Sequence, residues 1–357
     1  MDRRGLSKIF WLSLYFILKT NVFTFAFIAP SKSIRQQGNI YSTEKYKDSI
    51  LQSRTEQDRH IEEWYRKQGI LGTSQIKLCT TDKSVGGRGL FYNSKESAQQ
   101  GDVIAYIPYS KVINIFNLEK QFPDLKEIHQ GDLSWQAKLT IYALRSMEED
   151  NEKTNFQPWI KSWYGGGPCG PKPFHKYTHE EIQELMELTN ASEDIVEETI
   201  DARYETYQKD WKRVQEYYSK ENEQKFADMY SIILSRTAAL GPMWNNTRGV
   251  IPLHDMCNMQ PTCQDPNIEL FSFGDVRRMI GFVHTQNMIQ VLARTERKKD
   301  NQAPLVLEID ERDILLVASK NLKDGDELWL SYKNCDENME IRQRLWLLLQ
   351  YGFPLHS

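Results

Sequence analysis

Hydrophobic positions along the chain change period four times. Residues 45–67 are polar, with Ile50, Leu51, Ile61, Trp64 and Tyr65 at helical spacing, which predicts one or two lead-in helices. Residues 76–113 break into short apolar runs, at 76–78, 89–92 and 103–107, the last a buried-strand pattern closed by Pro108. From 117 to 235 the spacing turns helical. Asp132-Leu133-Ser134-Trp135 opens a helix continued by Leu139, Tyr142, Ala143 and Met147. The glycine- and proline-rich stretch 165–173 is a break. Thr178 with Glu181 three residues on predicts a capping box, and Ile195, Ile200, Tyr204, Tyr207, Trp211 and Val214 predict a long helix over 193–219. Strand patterns return between 247 and 335, at 249–252, 268–271, 305–309, 314–318 and 328–332, before a leucine-rich helix over 340–350. The charged run 294–300 predicts a solvated loop. Strands, then helices, then strands is an α+β order, not the alternation that builds a doubly wound parallel sheet, and no internal repeat is visible.

Composition narrows the classes. A chain of 357 residues can bury one large core or two ordinary ones. A net charge of −4 argues against a general nucleic-acid binder. The 17 Tyr, 15 Phe and 9 Trp could line narrow, cation-holding channels as well as fill a core. The 5 cysteines (79, 169, 257, 263, 335) form no C-x-x-C pair, so neither a zinc ribbon nor a disulfide framework is implied, and no metal is expected. His175 and His179 lack further ligands nearby, and G-x-S-x-G is absent.

The first 43 residues read as an address. Arg3, Arg4 and Lys8 precede a ten-residue apolar run over 9–18, too short to span a bilayer. Thr24-Phe25-Ala26 offers a cleavage site with Phe27 as the new first residue. No acid occurs between Arg3 and Thr43, and a basic, serine-containing leader of this kind fits a transit peptide. The pair resembles the bipartite presequence of algae with complex plastids, which predicts plastid import; secretion or endomembrane residence is the alternative. The mature form is expected to hold no membrane segment and to bind no nucleic acid.

Four motifs carry candidate chemistry. Gly86-Gly87-Arg88-Gly89-Leu90 lets backbone approach a ligand closely but lacks the G-x-G-x-x-G pattern of a dinucleotide site. Ser235-Arg236 places a guanidinium whose planar fork suits a carboxylate. Asp255-Met256-Cys257-Asn258 follows an apolar run and suits a hydrogen-bonded loop. Gly325-Asp326-Glu327 leads to Tyr332, and Tyr351-Gly352-Phe353 stands near the end. In this order the motifs resemble the SET-domain methyltransferases, in the cysteine-poor branch with the plant Rubisco large-subunit lysine methyltransferase and the actin-histidine methyltransferase. The resemblance covers about residues 76–357.

It implies a SET-domain β-core of short twisted strands with a pseudoknot-like C-terminus and an all-helical insert. It implies S-adenosyl-L-methionine as cofactor, held by Gly87, Arg88, Gly89, Leu90, Arg236, Asp255, Asn258, Met259, Tyr351 and Phe353, with Tyr332 catalytic. Met259 stands where the family usually has His, and Ala238 where the Rubisco-type enzymes tend to have an aromatic. Trp159, in 156–160, reads as packing. The implied activity is protein-lysine N-methylation of a non-histone, plastid protein, with Rubisco large subunit or aldolase as partners by resemblance only. The alternatives are histidine methylation and a SET-like binding module without turnover. The organisation expected is a signal peptide over 1–26, a transit leader over 27–60, SET segments over 61–116 and 236–357, and a helical insert over 117–235.

Overall fold

The structure, a computed structural model, describes residues 55–80, 88–148, 156–163, 177–217, 223–259, 266–300, 308–330 and 340–351. Helix α1 (Glu56–Lys67) opens on a reciprocal capping box between Thr55 and Asp58 and carries acids in its first turn and bases in its last, matching the helix dipole. It buries Ile61, Trp64 and Tyr65 against the main core. Strands β1 (Ile76–Thr80) and β2 (Arg88–Tyr92) pair antiparallel, from Ile76 opposite Tyr92 to Thr80 opposite Arg88. Strand β3 (Val103–Ile107) is wholly buried. It forms the edge of an antiparallel sheet with β9 (Ile314–Ala318) at the centre and β8 (Ile268–Ser272) beyond. A third small sheet orders β4 (Ile113–Asn114), β6 (Arg248–Val250) and β5 (Thr237–Ala239). Finally β7 (Asn258–Met259) runs parallel to β10 (Trp329–Leu330).

Between β4 and β5 the described residues are helical: α2 (Ile115–Gln121), α3 (Lys126–Gln130), α4 (Trp135–Glu148), α5 (Gln157–Ser162), α6 (His179–Thr189), α7 (Glu193–Tyr217) and α8 (Glu223–Arg236). Local chemistry sets their starts. The Ala137 N–H donates to Ser134 Oγ at 3.1 Å, and Thr178 and Glu181 form the expected capping box. Ser134 in turn donates to the buried Asp210 on α7 at 2.5 Å, as does Tyr230 of α8 at 2.7 Å, so one carboxylate ties three helices.

A helical pair, α9 (Phe273–Ile280) and α10 (Phe282–Asp300), stands where the sequence pattern predicts strand and loop. Phe273, Val276, Ile289, Leu292 and Ala293 fall at helical spacing and bury against Tyr106, Leu315 and Val317 of the β3-β9-β8 sheet. The run 294–300, expected as a solvated loop, is the end of α10. Glu296 holds it down by accepting from the Ser74 N–H at 2.7 Å and the Thr73 hydroxyl at 3.2 Å. Of the strand expected over 305–309, residues 305–307 lie outside the described residues and 308–309 are not strand. The last helix, α11 (Ile341–Tyr351), buries Leu345 and Leu349 among Leu185, Ala191 and Val196 of the α6–α7 pair.

Candidate functional site

The loop from β6 to β7 holds a positive-φ residue that, among the described residues, is neither Gly nor Asn. Leu253 sits at φ 68°, ψ −54°, a region that a branched side chain enters only under strain. The strain turns the chain sharply, and the Asp255 N–H then donates to the Ile251 carbonyl at 2.9 Å. One helical turn over His254–Met256 follows, which delivers Asp255 inward and Asn258 into β7.

The Asp255 side chain is fully enclosed. Its Oδ2 accepts from the indole N–H groups of Trp159 and Trp163, each at 3.0 Å, and lies 3.6 Å from Arg236 Nη1. Arg236 ends α8, donates to the Asp255 carbonyl at 2.8 Å, and lies with its guanidinium carbon 5.9 Å from the Trp163 ring centroid. Burial lifts the Asp255 carboxyl to about 6, against the pull of Arg236 and the two indoles. Within this ion pair two buried atoms keep no hydrogen-bond partner among the described residues: Asp255 Oδ1, an acceptor, and Arg236 Nε, a donor. Buried polar groups are nearly always bonded, so an open donor and an open acceptor on one ion pair suit a ligand with both kinds of group.

Beside this pair lies a second. Asn258 Nδ2 donates to Glu327 Oε1 at 2.7 Å. Burial pushes the Glu327 carboxyl up to about 7. Gly89 on β2 faces both groups: a Cβ there would stand 2.5 Å from Glu327 Oε1 and 2.8 Å from Asn258 Nδ2, so any larger residue must push this pair aside. Backbone bonds fix the register, with Leu328 N–H donating to the Leu90 carbonyl at 2.7 Å and Tyr92 N–H to the Asp326 carbonyl at 2.8 Å. The segment before β10 is thereby held between β2 and β7. The rest of the loop is chemically quiet near neutral pH. Burial drives His254 down to about 4 and the Cys257 thiol well up, leaving neither an imidazolium nor a thiolate.

Of the residues implied by sequence, Gly89, Asn258, Arg236 and Asp255 converge here. Leu90 is buried beside Gly89, Arg88 pairs with Thr80, and Met259 pairs with Leu330. Tyr351 closes α11, where Gln350 Nε2 donates to the Leu234 carbonyl at 3.1 Å and so ties that helix end to the turn bearing Arg236. Gly87, Tyr332 and Phe353 lie outside the described residues. Sequence reasoning missed Glu327, Trp163 and the polar role of Trp159. Their partners are 69, 92 and 96 residues distant along the chain, and no local pattern encodes such pairings. Among the described residues no group of three or more His, Cys, Asp or Glu could hold a metal ion, and no helix is long and apolar enough to cross a membrane.

No protein-family model matches the sequence, and no curated protein matches it. Solved structures do match in fold. The SET domain of LSMT bound to lysine and AdoHcy superposes with a TM-score of 0.54 at 15% identity, covering 83% of this chain and 57% of that one. Rubisco LSMT bound to sinefungin and monomethyllysine gives 0.53 at 14% identity over 84% of this chain and 56% of that one. Rubisco LSMT bound to AdoMet gives 0.52 at 15% identity, with 84% and 57% covered. The chain thus spans somewhat over half the length of these neighbours, and at such identities the likeness concerns architecture. The small sheets clasped round the 251–259 loop, with helices inserted between β4 and β5, give this chain the fold of the SET domain.

Proposed function

We propose that the protein is an S-adenosyl-L-methionine-dependent protein-lysine N-methyltransferase. The observation that carries the reading is the open donor and acceptor on the Arg236–Asp255 pair, set beside Asn258 in a SET fold. The methionine end of the cofactor is a zwitterion, and its carboxylate and ammonium match that donor and acceptor. The residues therefore fit the group. Arg236 would hold the carboxylate through its remaining N–H. Asn258, with Nδ2 committed to Glu327, keeps its carbonyl oxygen for an amine donor. Gly89 and Leu90 offer backbone at close approach. When bound, the cofactor supplies a methyl group on a sulfonium, which is transferred by in-line displacement.

Such a displacement needs little acid or base and much positioning. The acceptor amine must be uncharged, and a free lysine titrates near 10.4 on average, so an apolar slot that disfavours the ammonium form is required. Tyr332, carried over from the family likeness, is assigned to the transfer point. The solved neighbours hold lysine or monomethyllysine, which favours lysine as acceptor. The substrate is a protein, with Rubisco large subunit or aldolase as candidates, and the basic leader supports plastid import. Thermal shift of residues 27–357 with S-adenosylmethionine, then transfer to plastid extract with mass-spectrometric mapping, tests this. A methylated lysine, lost with Tyr332→Phe, is expected. A methylated histidine would move the acceptor class, and a folded protein that binds no cofactor would overturn the proposal.

A further inference from the structure

We propose that Trp159 and Trp163 are positioning residues: their paired indole N–H groups hold the Asp255 carboxylate so that Arg236 is fixed toward its ligand, coupling the helical insert to the site. This rests on the functional reading above. Both indoles are completely buried, and both reach the same oxygen, Oδ2, at 3.0 Å. Packing alone would not require two separate rings to aim their single donors at one atom. The rings themselves are held by other rings: Trp159 stacks at 20° on Trp64 of α1 with centroids 5.4 Å apart, and Trp163 meets Trp159 edge-on at 77°. α1, the insert helix α5 and its following residue therefore form one aromatic stack that ends on Asp255.

The consequence falls on Arg236. With Oδ2 taken by the indoles, the guanidinium approaches only to 3.6 Å and makes its shorter bond to the Asp255 carbonyl. Arg236 is thus oriented by the pair without being fully neutralised, and its buried Nε has no hydrogen-bond partner among the described residues. Among the described residues, the other titratable groups near Asp255 are His254 and Cys257 on its own loop and Glu327 beyond Cys257. His254 and Cys257 are neutral near pH 7, so the indoles and Arg236 are what keep the carboxylate ionised.

Trp163→Phe keeps a ring beneath Arg236 but deletes one donor; Trp159→Phe is its counterpart should that variant not fold. A hydrogen bond to the charged form lowers a carboxyl pKa, so losing one raises it. Cofactor affinity measured by calorimetry across pH is expected to fall about tenfold in the variant near pH 6 and little at high pH, with the acid midpoint moved upward. An affinity that is unchanged, or lower by one constant factor with an unmoved midpoint, overturns the inference. The indole N–H resonances of the ligand-free protein supply an independent arm. Trp159 is expected to titrate with Asp255 in the parent and at higher pH in Trp163→Phe. If the parent binds no cofactor at any pH, the functional reading fails on its own, and shared titration of the two indoles then decides whether the carboxylate clasp exists.

Discussion

Asp255 and Asp313 are both buried carboxylates pushed upward by desolvation, yet they are finished differently. Asp313 closes every account locally. Its Oδ1 accepts from the Tyr109 N–H at 2.8 Å, and its Oδ2 from the Tyr106 hydroxyl at 2.6 Å and the Asp310 N–H at 2.7 Å. It staples the turn before β9 to β3 and faces nothing outside. Asp255 gathers donors from α5 and the residue after it and a cation from α8, and still leaves one oxygen unpartnered behind a strained Leu253. The complete set on Asp313 suits a residue that serves the fold, and the unpartnered oxygen on Asp255 leaves room for a ligand group.

Substitutions can break that contrast. Asp255→Ala is expected to be the most damaging, since it strands a buried guanidinium and two indole donors; a stability loss of about 3–5 kcal/mol by urea unfolding is expected, with cofactor binding abolished. Asp313→Ala should cost about 3 kcal/mol through three orphaned donors, while the molecules that remain folded bind cofactor as the parent does. If the Asp313 variant lost binding and the Asp255 variant kept it, the two roles would have been assigned the wrong way round.

The pH dependence sharpens the comparison. Glu327 is raised to about 7 and Asp255 to about 6. A raised carboxyl pKa stabilises the fold at low pH, and that contribution is lost as pH climbs through the folded value. His254, lowered to about 4, acts in the opposite sense: its contribution is present above about 6.5 and is lost as pH falls toward 4. Glu327→Gln removes one titration. Relative to that variant, the parent is expected to lose about 3 kcal/mol between about pH 4.5 and 7.5. A flat difference would show that Glu327 does not titrate in that window. Gly89→Ala should have the smallest effect on stability, about 1–2 kcal/mol, because its Cβ must displace the Glu327–Asn258 pair by a few tenths of an ångström or more. Its cofactor affinity should fall further than its stability suggests.

What was legible in the sequence was what local pattern encodes. The buried runs of β3 and β9, the Thr178 capping box and the 25-residue helix α7 follow from spacing and end chemistry. The α9–α10 pair was missed because Phe273, Val276, Ile289 and Leu292 show their common face only once the β3-β9-β8 sheet is there to receive them. Of the candidate site, Gly89, Arg236, Asp255 and Asn258 stand out through motif order, since each sits in a short recognisable run, and the structure brings them together. Glu327 and Trp163 were not, because they act only through partners brought close by folding. Trp159 was read as filler for the same reason: an indole N–H is invisible as a donor until its acceptor is known.

The central claim is that Arg236 and Asp255 hold the zwitterionic end of S-adenosylmethionine. Titration calorimetry of the cofactor into residues 27–357, with Arg236→Ala alongside, tests it most directly. The account predicts one bound cofactor per chain in the parent and an affinity at least about tenfold weaker in the variant, with folding retained. Equal affinity in the two proteins, or a folded parent that takes up none, would contradict it.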